Sequence, residues 1–193
     1  IAIANSNMAQ VYLTNNGGAN WYNLGTPQDG GVAAVVIRDI AISRDLNGVN
    51  YIAVAGKDAS NFANVWYYPA GAVAPAWKAI GTKSGFSSTS EAVAVAFSPN
   101  FLLDRAMVSV TERDNDVVAL QIFNFGSNQW NDSAGFTDYP VTITSGSSVT
   151  GVDSASLSLS PDYMADDPNS CIIFIGLTVS GATAAVPSSG IYL

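Results

Sequence analysis

The 193-residue sequence predicts an all-β fold built from a repeated unit. Apolar residues alternate with small or polar ones along most of the chain, as in strands with one buried face. No stretch of a dozen residues keeps the i, i+3, i+4, i+7 apolar stripe of an amphipathic helix. Matching strands and tryptophans also recur with a period of roughly 50 to 60 residues, which is typical of repeat architectures.

The predicted strands are short, rich in β-branched or aromatic residues, and bounded by Gly, Pro, Asn or Asp. In chain order they are residues 39–43, 50–56, 65–68, 91–98, 106–111, 117–125, 155–160 and 171–179. Cys171, the one cysteine, begins the last of them, where we expect a buried thiol. A single cysteine excludes an internal disulfide.

Three of these strands end alike, with serine, then proline or arginine, then aspartate or asparagine, then a large apolar residue. Their serines are Ser43, Ser98 and Ser160, and each is followed, after a polar loop, by a second apolar strand. Tryptophans at positions 21, 77 and 130 stay in phase with these serines. The order predicts four antiparallel strands per unit, which is the composition of a β-propeller blade.

The predicted architecture is a β-propeller fragment of about three and a half four-stranded antiparallel blades. Residues 1–30 are expected to end one blade, 31–85 and 86–140 to form two blades, and 141–193 to begin another. The next tryptophan in phase would be expected near residue 193, where the sequence has Leu193. We therefore expect the rest of the ring to lie outside these residues or in neighbouring chains.

The most specific motif is a hairpin within residues 11–25, which carries Thr14, Asn16, Gly18 and Trp21. It resembles the Asp-box, or BNR repeat, of sialidase-like β-propellers of the type found in prokaryotic extracellular and surface-layer proteins. Asn16 stands where that family has Asp, and Asn20 where it has Thr. The resemblance implies a structural hairpin: the Asx side chain bonds the turn, glycine takes a conformation that other residues avoid, and tryptophan fills the space between sheets. It implies a fold rather than an activity.

Composition narrows the classes of function. Seven Lys and Arg against fifteen Asp and Glu leave a net charge of −8, which opposes nucleic-acid binding. Histidine is absent, which removes Ser-His-Asp and Cys-His nucleophile arrangements from this chain. The longest apolar run, residues 171–179, is about half of what a membrane helix needs, so no membrane span is predicted.

No cofactor is required by these patterns, but two acidic loops offer the oxygen ligands that Ca²⁺ takes. Their candidate ligands are Asp114, Asp116, Asp162, Asp166 and Asp167. Solvated turns between strands are the alternative interpretation of both loops. Asn131 begins an Asn-Asp-Ser triplet after Trp130, which predicts an N-glycosylation site in an exposed turn.

The favoured function is a non-enzymatic structural and binding protein, secreted or on the cell surface of a prokaryote. Its expected partners are other protein subunits or copies of itself in an extracellular assembly, and glycans. One alternative is a sialidase-like glycoside hydrolase whose catalytic residues lie outside this segment, since Glu91 and Glu112 are the only glutamates in the chain. Another alternative is an assembly-factor propeller that chaperones a different complex.

Overall fold

The structure, a computed structural model, describes residues 2–5, 9–87, 90–113, 117–144, 151–180 and 189–193. These residues form antiparallel sheets, with one short helix, α1 (Phe101–Asp104), and a single turn of 3₁₀ helix (Asn131–Ala134). The prediction of an all-β fold is confirmed. Within the described ranges no helix has the length and apolar character that crossing a membrane requires.

The strands fall into four sheets that follow one another along the chain. The first sheet contains β1 (Ala2–Asn5), β2 (Gln10–Leu13) and β3 (Tyr22–Gly25). The second contains β4 (Gln28–Asp29), β5 (Val32–Ile42), β6 (Asn50–Asp58), β7 (Ala63–Ala70) and β8 (Lys78–Ala79). The third contains β9 (Glu91–Phe97), β10 (Ala106–Arg113), β11 (Val117–Asn124), β12 (Gln129–Trp130) and β13 (Val141–Thr144). The fourth contains β14 (Gly151–Leu159), β15 (Ile173–Ser180) and β16 (Gly190–Tyr192).

Two strands join a different sheet from the one that the predicted unit boundaries imply. β4 falls within the predicted first unit but pairs with β5 of the second sheet. β13 falls within the predicted last unit but pairs with β11, where Val141 lies opposite Leu120. A strand belongs to the sheet that contains its hydrogen-bonded neighbour. The sequence pattern does not show which strand that neighbour is.

Consecutive sheets pack face to face, and a separate apolar cluster fills each interface. Between the first and second sheets, Val11 meets Ile52 and Val54. The second interface contains Ala53, Ala55, Met107 and Phe123. The third contains Val108, Val110, Ile173 and Ile175. Strands β6 and β10 therefore bury both faces, whereas buried and uncovered residues alternate along β15.

The serine repeat is visible as one recurring hydrogen bond. The backbone N–H of Ser43 donates to the Tyr51 carbonyl, that of Ser98 to Ala106, and that of Ser160 to Ile172. The third repeat is therefore offset by one residue from the alignment that its apolar run suggests, because the pairing places Ile172, not Cys171, opposite the serine. Cys171 is consequently half-buried just before β15 rather than buried within it.

Candidate functional site

Two phased tryptophans make the same contact between sheets. The indole Nε1–H of Trp77 in the second sheet donates to the Leu24 carbonyl of the first, at 3.0 Å. The Nε1–H of Trp130 in the third sheet donates to the Ile80 carbonyl at the end of the second, at 2.8 Å. Both side chains are buried. Each tryptophan therefore anchors its own sheet to the sheet before it.

Both acceptors, and the Trp77 donor, belong to one short sequence motif. Leu24 and Ile80 are the fourth residues of the Trp-x-x-Leu/Ile-Gly segments that begin at Trp21 and Trp77. The Trp77 indole reaches the preceding sheet, and the Leu24 and Ile80 carbonyls each receive an indole from the following sheet. Trp130 is not followed by the Leu/Ile-Gly pair. The motif is visible in the sequence, but its direction of contact is not, because the contact joins residues 50 or more positions apart.

The Asp-box-like hairpin brings three of its four predicted residues together. Thr14 Oγ1 accepts a hydrogen bond from the Gly18 N–H at 2.9 Å and donates to Asn16 Oδ1, also at 2.9 Å. Asn16 Oδ1 in turn accepts the Asn20 N–H at 3.0 Å. Gly18 has φ of +96°, in the region that favours glycine. These bonds close the turn between β2 and β3.

Trp21, the fourth residue of the hairpin, does not fill a space between sheets as the motif predicts. Its side chain is 41% exposed and lies against Gly18. Trp77 and Trp130 each point toward a preceding sheet, and no described sheet precedes the first one. The tryptophan that carries the motif is therefore the one that the described chain leaves uncovered.

Acidic side chains tie the second sheet to the third. Glu91 on β9 is buried and forms a 2.7 Å salt bridge with Arg38 on β5. The hydrogen bond between these two side chains raises the pKa of Arg38. Asp39 accepts the Val95 N–H at 2.9 Å through Oδ2 and the Ile40 N–H at 2.8 Å through Oδ1. Burial nevertheless raises the pKa of Asp39, because loss of hydration outweighs these two bonds.

The third and fourth sheets are joined in the same way. Glu112 Oε2 accepts the Val152 N–H at 3.2 Å, and Asp104 Oδ2 accepts the Ala165 N–H at 3.2 Å. Asn100 adds a bond from its Nδ2 to the Tyr163 carbonyl at 2.8 Å. Both glutamates of the chain thus hold a neighbouring sheet. The sequence could identify these carboxylates but not their partners.

The expectation that Asn131 lies in an exposed turn was wrong. Asn131 begins the 3₁₀ helix and is only 1% exposed. Its Oδ1 accepts the Ile122 N–H at 3.0 Å, and its Nδ2 donates to the Gly85 carbonyl and to Gln121 Oε1, both at 2.9 Å. A glycan on that nitrogen would replace bonds that the fold already uses. The Asn-x-Ser triplet contains no information about burial.

The proposed calcium ligands are only partly described. Asp114 and Asp116 lie outside the described residues. Asp167 accepts the Asn169 N–H and the Ser170 hydroxyl, both at 2.9 Å, and these bonds lower its pKa. Asp162 and Asp166 are exposed nearby. Across the described ranges no three Asp, Glu or Cys side chains come together as a metal site would require. Calcium binding stays a prediction.

Two cavities lie between the third and fourth sheets. The larger, of about 460 Å³, includes Asp138, Tyr139 and Asp166 in its wall. The smaller, of about 240 Å³, lies between β13 and the pair β15–β16 and is mostly apolar. Its lining includes Leu120, Val141, Ile143, Cys171, Ile173 and Tyr192. The single cysteine borders both cavities.

Comparison with known protein families, curated proteins and solved structures gave no match. The resemblance to the Asp-box family therefore stays a prediction that depends on four residues: Thr14, Asn16, Gly18 and Trp21. The candidate functional surfaces follow instead from the structure: the repeated tryptophan contacts, the acidic side chains between sheets, and the apolar cavity beside Val141.

Proposed function

We propose that this chain is a non-enzymatic structural and binding protein, a partial β-propeller that works in an extracellular or cell-surface assembly of a prokaryote. The observation that supports the proposal most strongly is that acidic side chains form contacts between sheets. Asp39, Glu91 and Glu112 bond a neighbouring sheet, and Asp104 bonds the loop between β14 and β15. Carboxylates committed to such contacts stabilise the fold and are poorly placed to act as a catalytic acid and base.

The arrangement of the sheets supports the propeller. Sheets follow one another in chain order, and their long first strands pack together, β5 against β9 and β9 against β14. In a propeller, blades repeat radially and their inner strands line a common axis. The tryptophan contacts from Trp77 and Trp130 then act as regular links between blades.

Uncovered apolar residues support binding to other protein subunits. Phe174 and Ile191 on the fourth sheet are 47% and 83% exposed, and Tyr22 on the first sheet is 54% exposed. Contiguous exposed apolar patches mark interaction sites, and these side chains are the ones that we propose contribute to such contacts. A chain in which only 11% of the residues are charged is also well suited to cover by neighbouring subunits or glycans.

Replacement of Glu91 with glutamine tests the structural role against the glycosidase alternative. Because this carboxylate is buried against Arg38, Glu91→Gln should cost about 1–3 kcal/mol of folding stability. Asp162→Asn, at an exposed position, should cost little. Neither the variants nor the wild type should turn over fluorogenic sialosides or other glycosides. Turnover by the wild type that Glu91→Gln abolishes at unchanged melting temperature would favour the enzyme.

The proposed location is tested on intact cells of the source organism. Brief protease treatment of whole cells followed by mass spectrometry should release peptides of this chain together with known surface proteins. Recovery of its peptides only after lysis, alongside a cytoplasmic marker, would contradict an extracellular or surface role.

A further inference from the structure

The third interface between sheets lacks the tryptophan that fills the other two. Trp77 lies in the first interface and Trp130 in the second. Trp77 directly precedes β8 of the second sheet, and Trp130 ends β12 of the third. The described fourth sheet contains the three strands β14, β15 and β16. The interface between the third and fourth sheets contains the cavity of about 240 Å³.

The repeat shows which residue corresponds to the tryptophan acceptor there. The serine hydrogen bonds align Tyr51 with Ala106, and the pairings of β7 and β11 then align Val65 with Leu120. Ile80 donates its N–H to the Val65 carbonyl, and Val141 pairs with Leu120. Val141 therefore occupies the position of Ile80, whose carbonyl receives Trp130.

The cavity lies where the equivalent indole would be. Val141 and Leu120 form its wall on the third sheet, and Ile173 and Tyr192 form its wall on the fourth. Val141 is 42% exposed, whereas Ile80, at the same position one sheet earlier, is fully buried beneath Trp130. Val141 is thus more exposed at a position that no tryptophan covers, and the aromatic residues that line the cavity are Tyr139 and Tyr192.

We propose that this cavity binds the tryptophan of an extended peptide segment of the Trp-x-x-Leu/Ile-Gly type. The indole packs between Leu120, Val141 and Ile173, and its Nε1–H donates to a main-chain carbonyl of β13. An apolar cavity of about 150 Å³ already admits benzene, so the larger volume here admits the two rings of an indole. The peptide backbone lies along the fourth sheet as an added strand.

The occupant follows from the two filled interfaces rather than from the cavity alone. In both, the inserted residue is a tryptophan beside or within a two-residue strand, and its indole N–H donates to a backbone carbonyl. An aliphatic side chain would fill less of the volume and would leave the carbonyl without that donor. Binding of this peptide does not depend on whether the chain is structural or enzymatic.

A peptide taken from the chain itself provides the probe. Residues 75–82, Pro-Ala-Trp-Lys-Ala-Ile-Gly-Thr, contain the Trp77 segment. The matched control is the same peptide with Trp77→Ala. Cys171 is the only cysteine and borders the cavity, so its rate of alkylation by iodoacetamide, followed by mass spectrometry of the whole chain, reports occupancy. The tryptophan peptide should slow alkylation severalfold at saturation, and the alanine peptide should not.

Two variants locate the bound peptide. Val141→Lys places a charge in the cavity wall and should abolish binding of the labelled tryptophan peptide in fluorescence anisotropy. Val73→Lys alters a fully exposed residue between β7 and β8 that does not line this cavity, and it should leave binding unchanged. Equal alkylation rates with both peptides would overturn the proposal without reference to any variant. Loss of binding in Val73→Lys but not Val141→Lys would also overturn it.

Discussion

Replacement of the buried Trp130 with alanine should weaken the packing between the second and third sheets. It should cost more folding stability than replacement of the exposed Trp21 with alanine. The indole is fully buried and packs on Phe86 and Phe123, with ring centroids 4.8 and 5.0 Å away. Its Nε1–H satisfies the Ile80 carbonyl. The substitution therefore removes apolar burial, two ring contacts and one buried hydrogen bond together.

The expected cost follows from those losses. Truncation of a buried aromatic residue to alanine costs about 3–5 kcal/mol. A buried carbonyl left without a donor costs about 1–3 kcal/mol. Because measured truncation values include part of the second loss, we expect about 5 kcal/mol for Trp130→Ala. Trp21→Ala removes a side chain that is 41% exposed and covers no neighbouring sheet, and it should cost about 1 kcal/mol or less.

Urea unfolding followed by far-ultraviolet circular dichroism measures both costs without relying on tryptophan fluorescence. If the unfolding free energy depends on urea concentration with the same slope as in the wild type, the variants unfold as the same cooperative unit. Trp130→Phe serves as an intermediate, since it keeps a ring but loses the N–H donor. Equal costs for Trp130→Ala and Trp21→Ala, or a cost under about 2 kcal/mol for Trp130→Ala, would refute the reasoning.

Three further predictions concern buried positions. Burial raises the pKa of Asp39, so between the unfolded value of about 3.9 and that raised value the unfolded state holds fewer protons than the folded one. The stability of the wild type relative to the non-titrating Asp39→Asn should therefore fall as pH rises through this window, and urea titrations that show the opposite slope would contradict it. A Cβ at Gly56 would overlap the Val36 carbonyl on β5, so Gly56→Ala should lower stability by about 2 kcal/mol or more. Gly190→Ala, which has open space around it, should melt like the wild type. Asn131 should be unmodified in peptide mass spectra of the native protein, and Asn131→Ala should cost about 2–3 kcal/mol through its lost hydrogen bonds; a glycan found on Asn131 would show that the buried arrangement is wrong.

The long strands could be predicted because their residue types and alternation are local properties of the sequence. All eight predicted segments overlap observed strands, from β5 to β15. The first half of β5 could not be predicted, because register shifts at Ala34/Val36 and Ile37/Asp39 interrupt the alternation. Strands β4, β8 and β12 have two residues each, which is too short for any period to be visible.

The contacts of the candidate site depend on which sheets become neighbours. Most of these contacts could not be predicted, because the sequence does not show that arrangement. The Trp-x-x-Leu/Ile-Gly segments and the serine repeat could be identified by inspection. The burial of Trp130 and the exposure of Trp21 could not, since both depend on whether a preceding sheet covers the indole. The burial of Asn131 likewise depends on Gly85, far away in the chain.

Hydrogen exchange at the tryptophan side chains tests the central claim, that repeated indole contacts join the sheets, most directly. The chain has four tryptophans, so ¹⁵N-indole labelling gives four Nε1–H signals. Trp66, Trp77 and Trp130 donate to the carbonyls of Val32, Leu24 and Ile80, and their signals should exchange slowly with deuterium. Trp21 should exchange fast. Fast exchange at Trp77 and Trp130, or protection of Trp21 equal to theirs, would contradict the account.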